Sequence, residues 1–438
     1  MNNLAITDNS LSSGDDSLSS AHSITPHFPV IIIGGGQAGL SVSYCLKQQG
    51  IAHHLFEKNR IGHDWRSRRW DSFCLVTPNW QCKLPGFPYS GDDPHGFIPK
   101  DEIVKYLEDY AASFGPPISE GVGVERLRKN DDGVFEISTR SGVYMADQVV
   151  IATGGYHIPS LPRMAERLPR DILQIHSSAY RNPDSLPAGA VLVVGTGQSG
   201  CQIAEDLHWA GRQVHLSVGS APRSPRKYRG KDAIDWLDEM GYYAIPIHAH
   251  PKKERVKAQA NHYLTGRNGG HEIDLRKFAL EGMKLHGRLA DIQGATFAFR
   301  DDLKANLDNA DAVSQSIKNM IDQYIAREHI DAPVEPLYQP PWTPASDSPP
   351  LDLHEAGIRS VVWATGYRAD FGWVEVPVFD GRGEPSHQRG VTPVPGLYFI
   401  GLPWLHTWGS GRFAQVGDDA VYLAEHIEQV ASRKARLG

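Results

Sequence analysis

Cysteine is scarce in this chain. Its 438 residues hold four, Cys45, Cys74, Cys82 and Cys201, and no two form a C-x-x-C pair. A dithiol relay needs two thiols within reach of each other, so disulfide exchange is not the expected chemistry, and a reducing, cytoplasmic location is. No apolar run approaches the ~20 residues that a membrane-spanning helix needs. Basic excess is also missing: the net charge is −7, which gives no reason to expect a nucleic-acid partner. The first residues carry neither the basic start nor the apolar stretch of a signal peptide, and residues 1–27 are expected to be a disordered tail. His248, His250, His262 and His271 fall at no tight ligand spacing, so no metal is expected.

What is present is a chain long enough for two or three domains with real cores. Val30–Ile33 is short, apolar and β-branched, as a strand buried on both faces should be. Gly34-x-Gly36-x-x-Gly39 follows at once, then a helical pattern with Leu40, Val42, Cys45 and Leu46, closed by Gly50. A second strand, from Ala52 to Phe56, delivers Glu57 at its end, 23 residues after Gly34. The first glycine permits a tight turn, the second lets a pyrophosphate approach the backbone, and the third lets helix and strand pack closely. The helix N-terminus offers free N–H groups to phosphate, and Glu57 can accept both hydroxyls of an adenosine ribose. Strand, glycines, helix, strand and acid in this order predict a dinucleotide site.

The pattern recurs. A strand near Val191 leads to Gly195-x-Gly197-x-x-Gly200, a helix, Gly211 and a strand ending at Ser217 and Val218, with no acid. Arg223, Arg226, Lys227 and Arg229 follow. Without a carboxylate to repel it, a 2′-phosphate is tolerated, and a nearby guanidinium can fork onto it. The second site is therefore read as a nicotinamide site preferring NADPH, the alternative for the basic cluster being a solvated loop. Between the two units, residues 58–91 hold Trp65, Trp70 and Trp80 in an irregular stretch, which either binds something or packs as a loop. A helix is expected over Asp101–Phe114, strands between Val122 and Val150, and a helix over Ala305–Arg327. Pro333–Pro350 reads as an irregular crossing; buried strands follow at Arg359–Tyr367 and Gly396–Gly401, then a helix beginning around Gln415–Asp418.

The segments GGGQAG, IGHDWR, RWDSFCLVTPNWQCKLPGFP, IATGGY, GTGQSG, PRKYRGKD, VVWATGYR and GLYFIGLPWLHTWGSGRFAQVGDDAVYLAEHI resemble, in order and spacing, the class B flavin-dependent monooxygenases, which include the flavin-containing monooxygenases and plant YUCCA-type enzymes. The tryptophan-rich segment also resembles bacterial flavoproteins of nitrilase-linked gene clusters. The resemblance implies an α/β protein with two Rossmann-like domains, the NADPH domain inserted into a discontinuous FAD domain. The expected division is 28–165 for the first FAD part, 166–350 for the NADPH domain with a helical insert, and 351–438 for the second FAD part. It places Gly34, Gly36, Gln37, Ala38, Gly39, Glu57 and Lys58 at FAD, with Trp65, Arg66 and Thr77 on the flavin-side loop. Gly195, Gly197, Gln198, Ser199, Gly200, Arg223 and Arg226 fall at NADPH, while Thr365, Gly366, Gln415 and Asp418 return to the flavin.

The family signature F-x-G-x-x-x-H-x-x-x-(Y/F) keeps His176 and Tyr180 but has Arg170 and Ile172 where Phe and Gly stand in the family. A final Tyr favours the heteroatom-oxidising branch over the Baeyer–Villiger branch. By the same resemblance Asn79 is a candidate partner of a flavin peroxide, Val76 or Thr77 being the alternatives; in residues 243–350, which match the family least, His271 of GRNGGHE is a candidate for the substrate or nicotinamide pocket. The implied reaction passes hydride from NADPH to FAD, forms a C4a-peroxide with O2, and gives one oxygen atom to a small nitrogen- or sulfur-containing substrate. Two alternatives stay open: an NADPH oxidoreductase serving another electron acceptor, and a non-catalytic flavin sensor. A homodimer is the default assembly.

Overall fold

The computed structural model describes residues 25–258, 260–345 and 349–437; the expected tail lies outside them up to residue 24. The first element, β1 (His27–Ile33), already includes the last residue assigned to that tail. Val30, Ile31 and Ile32 are fully buried, and alternate residues feed two different cores, one under the following helix and one on the opposite face. A run buried on both faces has no polar positions, which is why β1 reads as unbroken apolar sequence; each such side chain contributes about 2 kcal/mol. Helix α1 (Gln37–Gln48) carries the chain to β2 (His53–Glu57), and Gly50, at φ +69°, turns it out of the helix. Helix α2 (Lys100–Phe114) buries Ile103, Leu107 and Tyr110. Strands β3 (Ile118–Glu120), β4 (Val124–Lys129), β5 (Phe135–Thr139) and β6 (Gly142–Ile151) complete a sheet of order β3-β2-β1-β6-β5-β4. β1 pairs in parallel with both β2 and β6.

The first sheet is mixed, its last two pairings antiparallel; a second sheet, parallel throughout, follows. β7 (Leu173–His176), β8 (Ala190–Val194), α3 (Gln198–Trp209), β9 (Val214–Ser217), β10 (Lys284–His286), α4 (Leu303–Arg327) and β11 (Ile358–Trp363) build it in the order β7-β11-β8-β9-β10. Here the structure corrects a boundary. Residues from 351 onward were expected to rejoin the first unit, but β11 pairs with β7 and β8. Only after Trp363 does the chain cross back, so that β12 (Leu397–Phe399) pairs with β6, and α5 (Val416–Leu437) packs on α1. Ahead of β11, Leu351–Asp352 joins a three-stranded antiparallel sheet that the sequence did not suggest.

A buried imidazole pair joins β9 to β10. His215 Nδ1 lies 3.0 Å from His286 Nε2, and Phe299 stacks on His286 at 4.5 Å. Burial, with help from Lys284, pushes His215 down to about 4, and burial beside His215 does the same to His286. An unfolded imidazole titrates near 6.5, so below that pH the unfolded chain binds protons that the folded one refuses. Stability from this pair is complete above pH 6.5 and is lost as pH falls through 4. For His215 alone the loss is about 3 kcal/mol. Urea midpoints measured from pH 7 to pH 4 should fall along this limb, and His215→Gln should flatten it.

Candidate active site

The turn after β1 is held by two backbone donors: Gly34 N–H to Phe56 O at 2.8 Å and Gly35 N–H to Glu57 Oε2 at 2.7 Å. Asn59 N–H takes the other Glu57 oxygen at 2.7 Å. Each carboxylate oxygen keeps a second lone pair for a ribose hydroxyl. Gly34 sits at φ +111°, and a Cβ there would meet Ala152 O at 2.7 Å. A Cβ on Gly39 would stand 1.9 Å from Gly34 O, so helix and turn touch backbone to backbone. Gly36 differs: nothing lies within 4 Å of its missing Cβ, leaving open space at the N-terminus of α1. Gln37 Nε2 donates to Gly411 O at 3.0 Å, and Ala38 is buried against Gly401, which brings the segment before α5 onto the same helix end. Lys58 is exposed beyond the strand.

The second cradle repeats these contacts. Gly195, at φ +103°, would place a Cβ 2.6 Å from Ala364 O; Gly200 would place one 1.9 Å from Gly195 O; Gly197 again faces open space, beside Gln198 and Ser199 of the first turn of α3. Gly195 N–H reaches Ser217 O at 3.1 Å, so Val218 occupies the position of Glu57. In place of a carboxylate, Thr196 Oγ1 accepts Gly219 N–H at 2.9 Å. Each unit closes its cradle with an Ala-Thr-Gly turn, Ala152–Gly154 after β6 and Ala364–Gly366 after β11. The repeat stands in the sequence as IATGGY and VVWATGYR. His176 accepts Ser178 N–H at Nδ1, so its Nε2 carries the proton and donates to Gly366 O at 2.9 Å. Thr365 Oγ1 donates to Ser160 O. Tyr180 donates to Asp206 Oδ2 at 2.7 Å.

Around the first cradle, Trp65 stacks on Phe413 at 5.7 Å, with Arg69 over its ring. Thr77 is half-buried before Pro78. Arg66 turns to Glu108 on α2, at 2.6 Å. Gln415 Oε1 accepts Thr407 Oγ1 and Gly409 N–H, fixing the loop ahead of α5. At the start of α5 the buried acid is Asp419, which accepts Ser410 Oγ at 2.6 Å and meets Arg389 at 3.2 Å; Asp418, the residue expected there, offers its carbonyl to Arg389.

Four expected site residues are committed elsewhere. Asn79 is buried, with its amide donating to Asp93 O and its oxygen accepting Ile98 N–H at 2.7 Å. It is a clamp on its own loop. His271 Nε2 lies 2.7 Å from Glu205, whose place on α3 is about 10 Å along the helix from its start. That holds His271 on the rear of the helix, beside Trp209. Arg226 is buried on Asp232 and the Thr265 carbonyl. Arg223, also buried, meets Asp311 at 2.9 Å, Glu272 at 3.0 Å and Asp274 at 3.7 Å. Burial works against its charge, but these carboxylates outweigh it and raise its pKa. Neither arginine is free to fork onto a 2′-phosphate. Arg223→Met should therefore leave the NADPH/NADH preference unchanged while costing about 4 kcal/mol of stability, because it strands buried carboxylates; a urea titration and paired KM values check both halves.

Two glycine cradles, each between parallel strands, one followed by an acid and one not, define a two-nucleotide flavoprotein oxidoreductase. The chain belongs to the pyridine nucleotide-disulphide oxidoreductase family, whose model matches residues 31–320. It is 36% identical over 401 residues to an uncharacterized CzcO-like oxidoreductase of Geobacillus kaustophilus, covering 91% of this chain and 97% of that one. A probable indole-3-pyruvate monooxygenase of Arabidopsis thaliana, YUCCA4, is 30% identical over 203 residues, 46% of this chain and 49% of that one. The flavin-containing monooxygenase from Stenotrophomonas maltophilia shares the fold with a TM-score of 0.63 at 17% identity, over 93% of this chain and 99% of that one. The resemblance to class B flavin-dependent monooxygenases drawn from the motifs holds. Among the described residues no cluster of three or more His, Cys, Asp or Glu could hold a metal ion, and no helix is long and apolar enough to cross a membrane.

Proposed function

We propose that the chain is an FAD- and NADPH-dependent monooxygenase that oxidises nitrogen or sulfur in a small organic substrate with O2. The observation that carries this reading is the pair of matching cradles that differ at one position, Glu57 in the first and Val218 in the second. Glu57 suits the adenosine ribose of FAD, and a position without a carboxylate suits a nucleotide bearing a 2′-phosphate. In this reading the second unit is the NADPH domain, inserted between the two parts of the FAD domain. Bound FAD supplies the two-electron relay from NADPH and the activation of O2. The chain's own work is placement and dryness. Glu57 and the open space at Gly36 orient one dinucleotide, Gly197 admits the other, and the His176–Gly366 bond ties β7 of the second unit to the turn that leads back to the first. The cysteines favour oxygen over disulfides as the electron acceptor: all four are free, three are buried, and burial pushes Cys45 and Cys82 up to about 12. A buried, protonated thiol is a poor nucleophile.

The test is stopped-flow absorbance of the FAD-loaded protein, reduced with NADPH and mixed with oxygenated buffer. A transient absorbing to the blue of oxidised flavin, longer-lived with NADP+ bound, is the expected result. Direct return of oxidised flavin with one equivalent of hydrogen peroxide, with and without NADP+, would overturn the monooxygenase reading.

A further inference from the structure

Burying a guanidinium without an anion is costly, and this protein avoids it almost everywhere. Arg223 meets three carboxylates, Arg226 meets Asp232, and Arg276 meets Asp308 and Asp311. Among the described residues four half-buried arginines have no ion pair: Arg181 and Arg212 are capped by three and four bonds to backbone carbonyls, and Arg69 and Arg412 are not. Among the described residues, neither Arg69 nor Arg412 lies within ion-pairing distance of a carboxylate. Arg412 donates to Trp408 O and to Asn261 Oδ1 at 3.0 Å, with its guanidinium 4.1 Å over the Trp408 ring. Arg69 donates to Arg68 O and lies over Trp65 and Phe73. The carboxylate that Arg69 feels most, Asp64, pairs with Arg68 at 3.3 Å. Burial lowers the pKa of both guanidinia.

Their place in the fold says where the missing anion belongs. Arg412 follows Gly411, whose carbonyl is bonded by Gln37 at the N-terminus of α1. Trp65, under Arg69, stacks on Phe413, the next residue after Arg412. Both cations thus stand at the first cradle, by the Trp65–Phe413 stack. The pyrophosphates of two dinucleotides already have seats in the open space at Gly36 and Gly197, and a 2′-phosphate would fall beside Val218, at the end of β9 in the second unit. Arg412 reaches away from α1, toward Asn261 and toward Trp408, which packs on Tyr243 at 4.3 Å. The reactant left to supply a negative charge is the substrate.

We propose that Arg69 and Arg412 form an anion subsite by the Trp65–Phe413 stack, and that the substrate is an organic carboxylate whose charged end they hold. This rests on the monooxygenase reading for the word substrate. The binding test below uses neither NADPH nor O2, so it can fail or succeed independently of that reading. FAD-loaded protein is titrated with acetate, butyrate, benzoate and phenylacetate, each against its uncharged amide, and the flavin difference spectrum is followed. The expected result is saturable binding of at least one acid, at least tenfold tighter than its amide. Arg412→Gln and Arg69→Gln should each remove that preference while changing NADP+ affinity less than twofold, and Arg412→Lys should restore part of it. Four acids that bind no better than their amides would overturn the proposal, and this comparison needs no variant to fold. Loss of NADP+ affinity by tenfold in the glutamine variants, with acid binding intact, would overturn it in favour of a dinucleotide phosphate as the anion.

Discussion

Gly39→Ala is expected to give a protein that purifies without FAD. The added Cβ would stand 1.9 Å from Gly34 O and 3.4 Å from Ala152 Cβ. Carbonyl oxygen and methyl carbon need more than 3 Å, so α1 must retreat from the turn by about 1 Å or more. The retreat moves the helix N-terminus, with its free N–H groups, away from the pyrophosphate. It also parts Ala38 from Gly401 and strains the contact of α1 with α5. Overpacking of this kind costs about 3 kcal/mol, and FAD occupancy should fall below a tenth. Gly36→Ala separates ligand from fold. Gly36 has φ −78° and nothing within 4 Å of its missing Cβ, so alanine fits the empty protein without strain. The thermal midpoint of the apoprotein should stay within the change expected of a neutral substitution, about 0.5 kcal/mol. FAD affinity should fall at least a hundredfold, because the methyl group takes the phosphate's space. FAD affinity unchanged in Gly36→Ala would show that the open space at Gly36 is no binding site.

The parts of the fold that were readable share one physical cause. β1 and β8 are covered on both faces, so their sequences are continuous apolar runs, and each is followed at once by glycines that backbone contacts demand. Such local constraints leave a local record. Pairing leaves none. Ile358–Trp363 reads as a buried strand, but nothing in six apolar-rich residues says whether it lies beside β6 or beside β8. The same limit explains the arginines. Arg223 and Arg226 looked like free cations because their carboxylates are distant in sequence or not aligned with them: Glu272, Asp274 and Asp311 reach Arg223 from 49 and more residues away. Asn79 was placed at the flavin by likeness of a motif, while its amide is spent on Asp93 and Ile98, two backbone partners in an irregular loop. Arg69 and Arg412 show the converse. Among the described residues no carboxylate lies within ion-pairing distance of either, and a sequence does not display that.

Gly197→Ala should leave the protein yellow and stable but almost unreduced by NADPH. Gly197 has φ −60° and nothing within 4 Å of its missing Cβ, so the substitution is free of strain in the empty protein. Its methyl group would stand at the N-terminus of α3, where the nicotinamide dinucleotide's pyrophosphate is seated in the proposed function. Flavin reduction at subsaturating NADPH should slow at least a hundredfold, equivalent to about 2.7 kcal/mol of lost binding, with FAD content unchanged. Gly200→Ala adds the structural counterpart: a Cβ 1.9 Å from Gly195 O and 3.0 Å from Ala364 Cβ. It should lose both reduction and stability. Because Ala364 leads into Thr365 and Gly366, and Gly366 O is held by His176 at 2.9 Å, the displaced helix also disturbs the turn that leads back to the first unit. Some FAD should therefore be lost from Gly200→Ala and none from Gly197→Ala. The measurement is a pair of numbers for each variant, the flavin-to-protein absorbance ratio and the rate of anaerobic bleaching by NADPH. If Gly197→Ala bleached at the rate of the unsubstituted protein, the second cradle would not be the electron donor's site.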